Sequence, residues 1–304
     1  MRWYKEIPLF WRRFGFRAMW DVAIRSRIDQ SYSRDQAVLD FLRRGFDNEM
    51  SLLRKGKTAV ETVKSSDLIW VCWLQGEDNM PETIRACFRS LLRNKGGHKV
   101  QLITYGNFQD FVDLPEYIIA KHKSGIISNT HFADIIRCFL LWEYGGIWID
   151  AALFVLSEVE YSGMAFSSPK MAHDSRLSIN SKWTVGCLAS GKCFLLFEFA
   201  YKFLLAYWKK YDSPIVYLLL DHVFELAYIN SKQIKTVIDS IPLNNVDLHK
   251  SRYLFNRKCD IHVYNELVKN NQFLSLTWRI PYCTHDENGQ LTYYGHLLKD
   301  FDRI

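Results

Sequence analysis

Two adjacent glycines, Gly145 and Gly146, separate a helical spacing from a β-type run and so fix a helix-to-strand junction near the middle of this chain. Upstream, Ser128-Asn129-Thr130 supplies a Ser or Thr that can cap a helix start. The following residues place Ile136, Phe139, Leu140 and Tyr144 on one side of a helix. On this spacing Asp134 and Arg137, three apart, share a face away from that apolar stripe. The glycines can adopt the left-handed backbone that stops a helix. Ile147-Trp148-Ile149 then reads as a buried strand with Asp150 at its carboxyl end. In open α/β sheets, ligands collect at that end of the strands.

The same alternation begins earlier. Leu68 to Trp73 reads as an apolar strand, Pro81 to Arg93 as a helix with proline in its first turn, and Val100 to Thr104 as a second strand after Gly96-Gly97. Strand, helix, strand in that order implies a parallel pair. Two long helices are expected from Cys193 to Trp208 and from Ile215 to Ile229, and the tail from Phe273 to Ile304 reads as irregular around the turn Asp286-Glu287-Asn288-Gly289. With 304 residues and 48% apolar composition, the chain can bury a sizeable core as one large domain or two small ones. No repeat or Pro/Gly linker marks a second domain; the expected organisation is a helical, basic, aromatic region over 1–65 and an α/β domain over 66–304.

A net charge of +6 over 39 basic and 33 acidic residues is too mild for a nucleic-acid binder, and no nucleic-acid partner is expected. Seven scattered cysteines without a Cys-x-x-Cys pair indicate neither a disulfide framework nor a zinc site, which fits a cytoplasmic setting. No apolar run reaches the roughly 18 to 20 residues that span a bilayer, and no signal-peptide pattern stands at the N-terminus. Residues 1–30 nevertheless interleave Arg2, Lys5, Arg12, Arg13, Arg17, Arg25 and Arg27 with seven aromatics, the composition of an interfacial helix on anionic lipid. Packing on the chain's own domain, or an oligomer contact, is the competing reading. The lipid reading places the protein peripherally on the inner face of the cell membrane.

Individually the charged residues say little. Asp150 alone reads as a turn or capping residue, and Asp134 with Arg137 alone as an intrahelical pair worth about 0.2–0.5 kcal/mol. Together, Ala133-Asp134-x-x-Arg137 and Tyr144-Gly145-Gly146-Ile147-Trp148-Ile149-Asp150-Ala151 resemble the signature of the capsular polysaccharide synthesis glycosyltransferases, relatives of yeast initiation mannosyltransferases and the clostridial glucosylating toxins. Ile69-Trp70-Val71-Cys72-Trp73-Leu74-Gln75-Gly76, followed by Pro81, is similar to the first-strand motif of the same group, and Leu276-Thr277-Trp278-Arg279 extends the similarity loosely.

The resemblance implies an α/β, Rossmann-like GT-A fold with additional helices at both ends, and a retaining transfer from a nucleotide-sugar donor, UDP-hexose foremost. The acceptor would be a glycan or lipid-linked oligosaccharide in capsular or surface polysaccharide synthesis. Carried over by position, Trp73 would lie against the nucleobase with Leu74 and Gly146 beside the donor; the competing reading of Trp73 is a core aromatic at the end of a buried strand, with Trp70 or Cys72 on the same side in another register. Asp134 would contact the ribose or sugar, Arg137 the sugar hydroxyls or phosphates, and Asp150 would be the first acid of a DxD element holding Mn2+ or Mg2+. Position 152, where the element needs its second acid, is Ala152. His285, Asp286 and His296 are the residues able to supply a replacement ligand, each of them otherwise a solvated polar group. His222, beside Asp221 in an apolar helix, reads as a satisfied polar group or an acceptor-cleft residue. The departure at Ala152 also admits a non-catalytic glycan-binding or scaffold protein of the same fold.

Overall fold

The computed structural model describes residues 7–55, 68–161, 163–171 and 182–303. The expected boundary at residue 65 lies among 56–67, outside the described residues, as do Arg2 and Lys5 at the N-terminus. The chain forms two compact units, each assembled from three separate stretches.

The first unit contains residues 1–61, 109–144 and 193–239, and its described elements are helical. They are α1 (Ile7–Ala18), a π-helix (Met19–Arg25), the single turn α2 (Ser26–Ile28), α3 (Arg34–Gly45), α4 (Asp47–Lys55), α6 (Glu116–Lys123), α7 (Asn129–Glu143), α8 (Leu195–Lys210), α9 (Leu219–Asn230) and α10 (Lys232–Asp239). Helices α8 and α9 begin later than their spacing predicts, at Leu195 and Leu219. Both are apolar nearly all round, as befits helices packed on several sides. Helix α7 packs on α8, and α3 and α4 pack on α9 and α8.

The second unit contains residues 62–108, 145–192 and 240–304. Its five-stranded sheet has the order β2-β1-β3-β6-β5, from β1 (Leu68–Cys72), β2 (Lys99–Ile103), β3 (Gly146–Ile149), β5 (Phe166–Ser167) and β6 (Cys187–Ser190). β1 is parallel to β2 and to β3, with Trp70 opposite Trp148, while β6 runs antiparallel to β3 and β5 antiparallel to β6. The expected α/β class, with a largely parallel centre, is the fold observed. The crossover α5 (Glu82–Asn94) starts after Pro81 and buries Ile84, Phe88 and Leu91, one helical face, against Ile69, Val71, Ile147 and Ile149 of the sheet. Each such fully buried side chain contributes on the order of 1.5–3 kcal/mol.

Between Leu276 and Thr292 the tail is irregular, as expected, but it begins in a strand and ends in a helix. β7 (Phe273–Ser275) pairs antiparallel with β4 (Leu153–Val155), and α11 (Ser251–Leu254), α12 (Ile261–Lys269) and α13 (Tyr293–Arg303) complete the unit. Strand β7 has three residues, too few to show a β period, and it is specified by its partner β4. The turn at Asp286 is as expected: its Oδ1 accepts from the amides of Asn288 and Gln290.

Candidate functional site

In the second unit the parallel strands β1 and β3 end side by side. Two residues beyond the Trp70–Trp148 pairing stand Cys72, the last residue of β1, and Asp150, just past the end of β3. Trp73 and Leu74 continue from β1, tied to the end of β2 by Trp73 N to Ile103 O at 3.0 Å and Tyr105 N to Leu74 O at 2.8 Å. Asp150 is held by its backbone: its amide donates to Gly186 O at 2.7 Å, and its carbonyl accepts from Leu153 N at 2.9 Å.

Its carboxylate is oriented as well. On a strand, residues two apart share a face, and the indole N–H of Trp148 donates to Oδ1 of Asp150 at 2.7 Å. Oδ2 lies toward Gly186, where an added Cβ would come within 3.0 Å of it. Trp148 is fully buried while Asp150 is half-buried, so a rigid donor fixes a carboxylate that meets solvent. Burial pushes the Cys187 thiol up, with the Asp150 charge adding to the rise, so the thiol stays neutral beside that carboxylate; burial together with Cys187 holds Tyr161 well above the usual phenol range.

The residues after β7 are brought to the same loop. Leu276 N donates to Ala152 O at 2.9 Å, two residues from Asp150, and Trp278 next along is 55% exposed with the Arg279 guanidinium 5.7 Å from its ring centre. Ala152 itself packs on the core. The roles of Trp148 and Gly186 toward Asp150 escaped the sequence reading. The i−2 spacing of Trp148 on a strand carried a signal for one; Gly186 becomes visible only through its antiparallel neighbour.

Trp73 is half-buried, packs partly on the core beside α5, and points its indole N–H at Asn79 O 3.4 Å away. Leu74 is buried. Gly145 and Gly146 both take positive φ, at 69° and 93°, as a helix stop requires. Gly146 has a further constraint: a Cβ there would lie 2.4 Å from Leu68 O, so it permits β3 to sit against β1.

Asp134 and Arg137 lie on α7 in the first unit. Ser128 caps the helix, its Oγ accepting from His131 N at 3.3 Å. Arg137 Nη1 is 3.3 Å from Asp134 Oδ1. The expectation that they face away from the core is corrected: they are 7% and 3% exposed. The reason is that α7 is covered on more than its apolar stripe, with Phe132, Ile135, Cys138 and Leu141 buried too, whereas Tyr144 is exposed and bonds Phe111 O through its hydroxyl.

The alternative ligands resolve into structural roles. His285 Nδ1 is 3.1 Å from Thr284 Oγ1, and Asp286 organises its turn. His296 packs on the Tyr264 ring, and His222 is a buried, satisfied group between Leu218 O and Asp35 Oδ1. Among the described residues no three His, Cys, Asp or Glu side chains cluster as a metal cage. A single carboxylate still suits Mg2+ or Mn2+ bound through substrate phosphates and water, since such ions commonly take only one or two protein carboxylates.

A sequence profile described as "Capsular polysaccharide synthesis protein" matches residues 20–297, nearly the whole chain. The chain belongs to the capsular polysaccharide synthesis protein family. Over 130 residues, 40% of this family member and 30% of the relative, it is 30% identical to the O-glycosyltransferase braB of Annulohypoxylon truncatum. Over 136 residues, 42% of the chain and 34% of the relative, it is 24% identical to the O-glycosyltransferase PaGT of Phomopsis amygdali. The chain thus spans about a third of the length of these curated relatives. Among solved structures it is similar to the PaToxG glycosyltransferase, at 14% identity and a TM-score of 0.42, covering 68% of this chain and 83% of that one.

Proposed function

We propose that this capsular polysaccharide synthesis protein is a nucleotide-sugar-dependent glycosyltransferase. It transfers a hexose, from a UDP-hexose first of all, with retention to a glycan or lipid-linked acceptor in surface polysaccharide assembly. The observation that carries the reading is Asp150: a half-buried carboxylate at the carboxyl end of a parallel strand, held by the Trp148 indole, with glycine opposite its second oxygen.

In this reading Asp150 is the residue that holds the divalent cation, which when bound offsets charge on a departing nucleoside diphosphate. Trp148 fixes the carboxylate, and Gly186 leaves room for it. In the transfer, the bond from the anomeric carbon to the phosphate oxygen breaks with its electron pair leaving on the diphosphate. The acceptor oxygen bonds the same carbon from the same face, and its proton passes to the diphosphate. Such a step needs electrostatic support and positioning more than a dedicated base. Trp73 against the base, with Leu74 and Gly146 near the donor, belongs to the proposal. So do Asp134 and Arg137, whose roles toward the donor rest on the family resemblance.

The test is release of UDP or GDP from sugar nucleotides with and without Mn2+, in the parent chain and in Asp150→Asn. Metal-stimulated release that disappears in the variant supports the reading; no release from any donor, or release unchanged by the substitution, refutes it. Ala152 favours a second reading, a glycan-binding protein without chemistry, and glycan binding without turnover would establish that one.

A further inference from the structure

The N-terminal helices of the first unit carry a surface that the glycosyl-transfer reading does not use. One side of α1 is anchored: Phe14 packs 5.9 Å from Phe41 and 5.6 Å from Tyr211, centre to centre, and Ala18, Met19, Val22 and Ala23 are buried. The rest is open. Trp11 and Phe16 are 59% and 64% exposed, and Leu9, Trp20 and Ile28 are exposed as well. Single exposed apolar residues are ordinary, but five within twenty residues, two of them tryptophans, are not.

Charge runs one way over the same stretch. Arg12, Arg13, Arg17, Arg25 and Arg27 are exposed, while Asp21 is buried and paired with Arg44 at 2.9 Å. A cleft of about 350 Å3 that Leu9 helps to line also presents Arg12, Arg13, Lys210, Tyr211 and Asp212. Its acid is already engaged, since Asp212 meets Lys121 at 2.7 Å, so the cleft offers cations. Gly15, at φ 83° and ψ 171°, breaks the helix in the middle of the patch.

We propose that this surface docks on an anionic phospholipid membrane. Leu9, Trp11, Phe16 and Trp20 would enter the headgroup–acyl boundary, and the arginines and Lys210 would meet headgroup phosphates. Indole and phenyl groups at that depth, with guanidinium groups in the phosphate layer, are the side chains that such an interface selects. The exposed charges over residues 7–28 are all basic, complementary to an anionic surface, and the half-buried Asp29 that follows is paired with Arg25 at 3.4 Å. The surface is independent of whether the chain transfers sugar.

The experiment is flotation of the full chain with vesicles of phosphatidylcholine alone and of phosphatidylcholine mixed with phosphatidylglycerol, whose negative surface attracts basic segments. The chain is expected to float with the anionic vesicles at least tenfold more than with the neutral ones. The variant Trp11→Ser, Phe16→Ser, Trp20→Ser is expected to lose that partition tenfold or more, and Arg12→Glu severalfold. Melting of each variant at the parental temperature confirms that the exposed substitutions leave the fold intact. Absence of flotation overturns the proposal. So does flotation unchanged by the aromatic substitutions, which would leave charge attraction alone, and so does an association of copies that the triple variant abolishes while the parent ignores both vesicles.

Discussion

Trp148 and Asp150, two residues apart on one face of the sheet, are joined by an indole N–H that donates to the carboxylate at 2.7 Å. The donor is fully buried and its acceptor half-open to solvent, so the orientation of the acid is set from inside the core. Trp148→Phe keeps most of the buried ring and removes the bond. A hydrogen bond to a charged group contributes about 1.5–3 kcal/mol, so nucleotide release is expected to fall roughly ten- to hundredfold; the smaller ring also leaves space in a fully buried site, so the melting temperature is expected to fall by several degrees. Asp150→Asn should lose about a hundredfold or more. Steady-state kinetics over a Mn2+ series measures both: the Trp148 variant should need more metal, and the Asp150 variant should not be rescued by it.

Gly186→Ala places a methyl 3.0 Å from Oδ2 of Asp150. That is tighter than ordinary contact, and the carboxylate must give by a few tenths of an ångström, which strains its bond to the Trp148 indole. Activity is expected to drop at least tenfold while the protein remains folded. A crystal structure of the variant checks the cause directly, by a lengthened Trp148–Asp150 distance.

Arg137 and Asp134 form a buried pair at 3.3 Å on α7. Breaking a buried ion pair by removing one partner costs about 3–5 kcal/mol. Arg137→Ala and Asp134→Ala should therefore each melt well below the parent. The double substitution Asp134→Leu with Arg137→Met is expected to regain much of that loss, because apolar replacement of a buried pair is often neutral. A stable double variant with no turnover separates a donor-contacting role from a structural one.

Part of the stability lost on acidification should come from Asp35. Its carboxylate is held below the ordinary 3.8 first by the hydrogen bond from His222, whose Nε2 is 3.1 Å away. A carboxyl with a depressed value in the folded state stabilises above its unfolded value, and that contribution is lost as pH falls through the folded one. Thermal melts of the parent and Asp35→Asn should therefore differ near neutrality and converge below pH 3.8.

How far the sequence revealed all this depended on the range of the forces involved. The Ser128 cap, the Gly145–Gly146 stop and the β3 run are local, and their residues alone specified them. The parallel pairing of β1 with β2 followed from strand, helix, strand. Long-range pairing was out of reach: nothing around Cys187–Ser190 says that it runs antiparallel beside β3, and Phe273–Ser275 is a strand because β4 is there to receive it. The burial of Asp134 and Arg137 was missed for the same reason, since a stripe pattern shows one packed face and α7 is packed on more than one. Asp150 was found correctly at a strand end, while the two residues that orient and clear its carboxylate became evident only with the sheet assembled.

The interleaving of the two units sets an order on biogenesis. The last stretch of the first unit ends at residue 239, and the second unit draws on residues 240–304. During synthesis the helical unit can close while β4 still waits for β7, some 120 residues further along. Loop-closure entropy makes such late, distant pairings slow. Premature termination after residue 239 would release a chain with a finished helical unit and an uncovered strand, a species prone to aggregate rather than one with reduced activity.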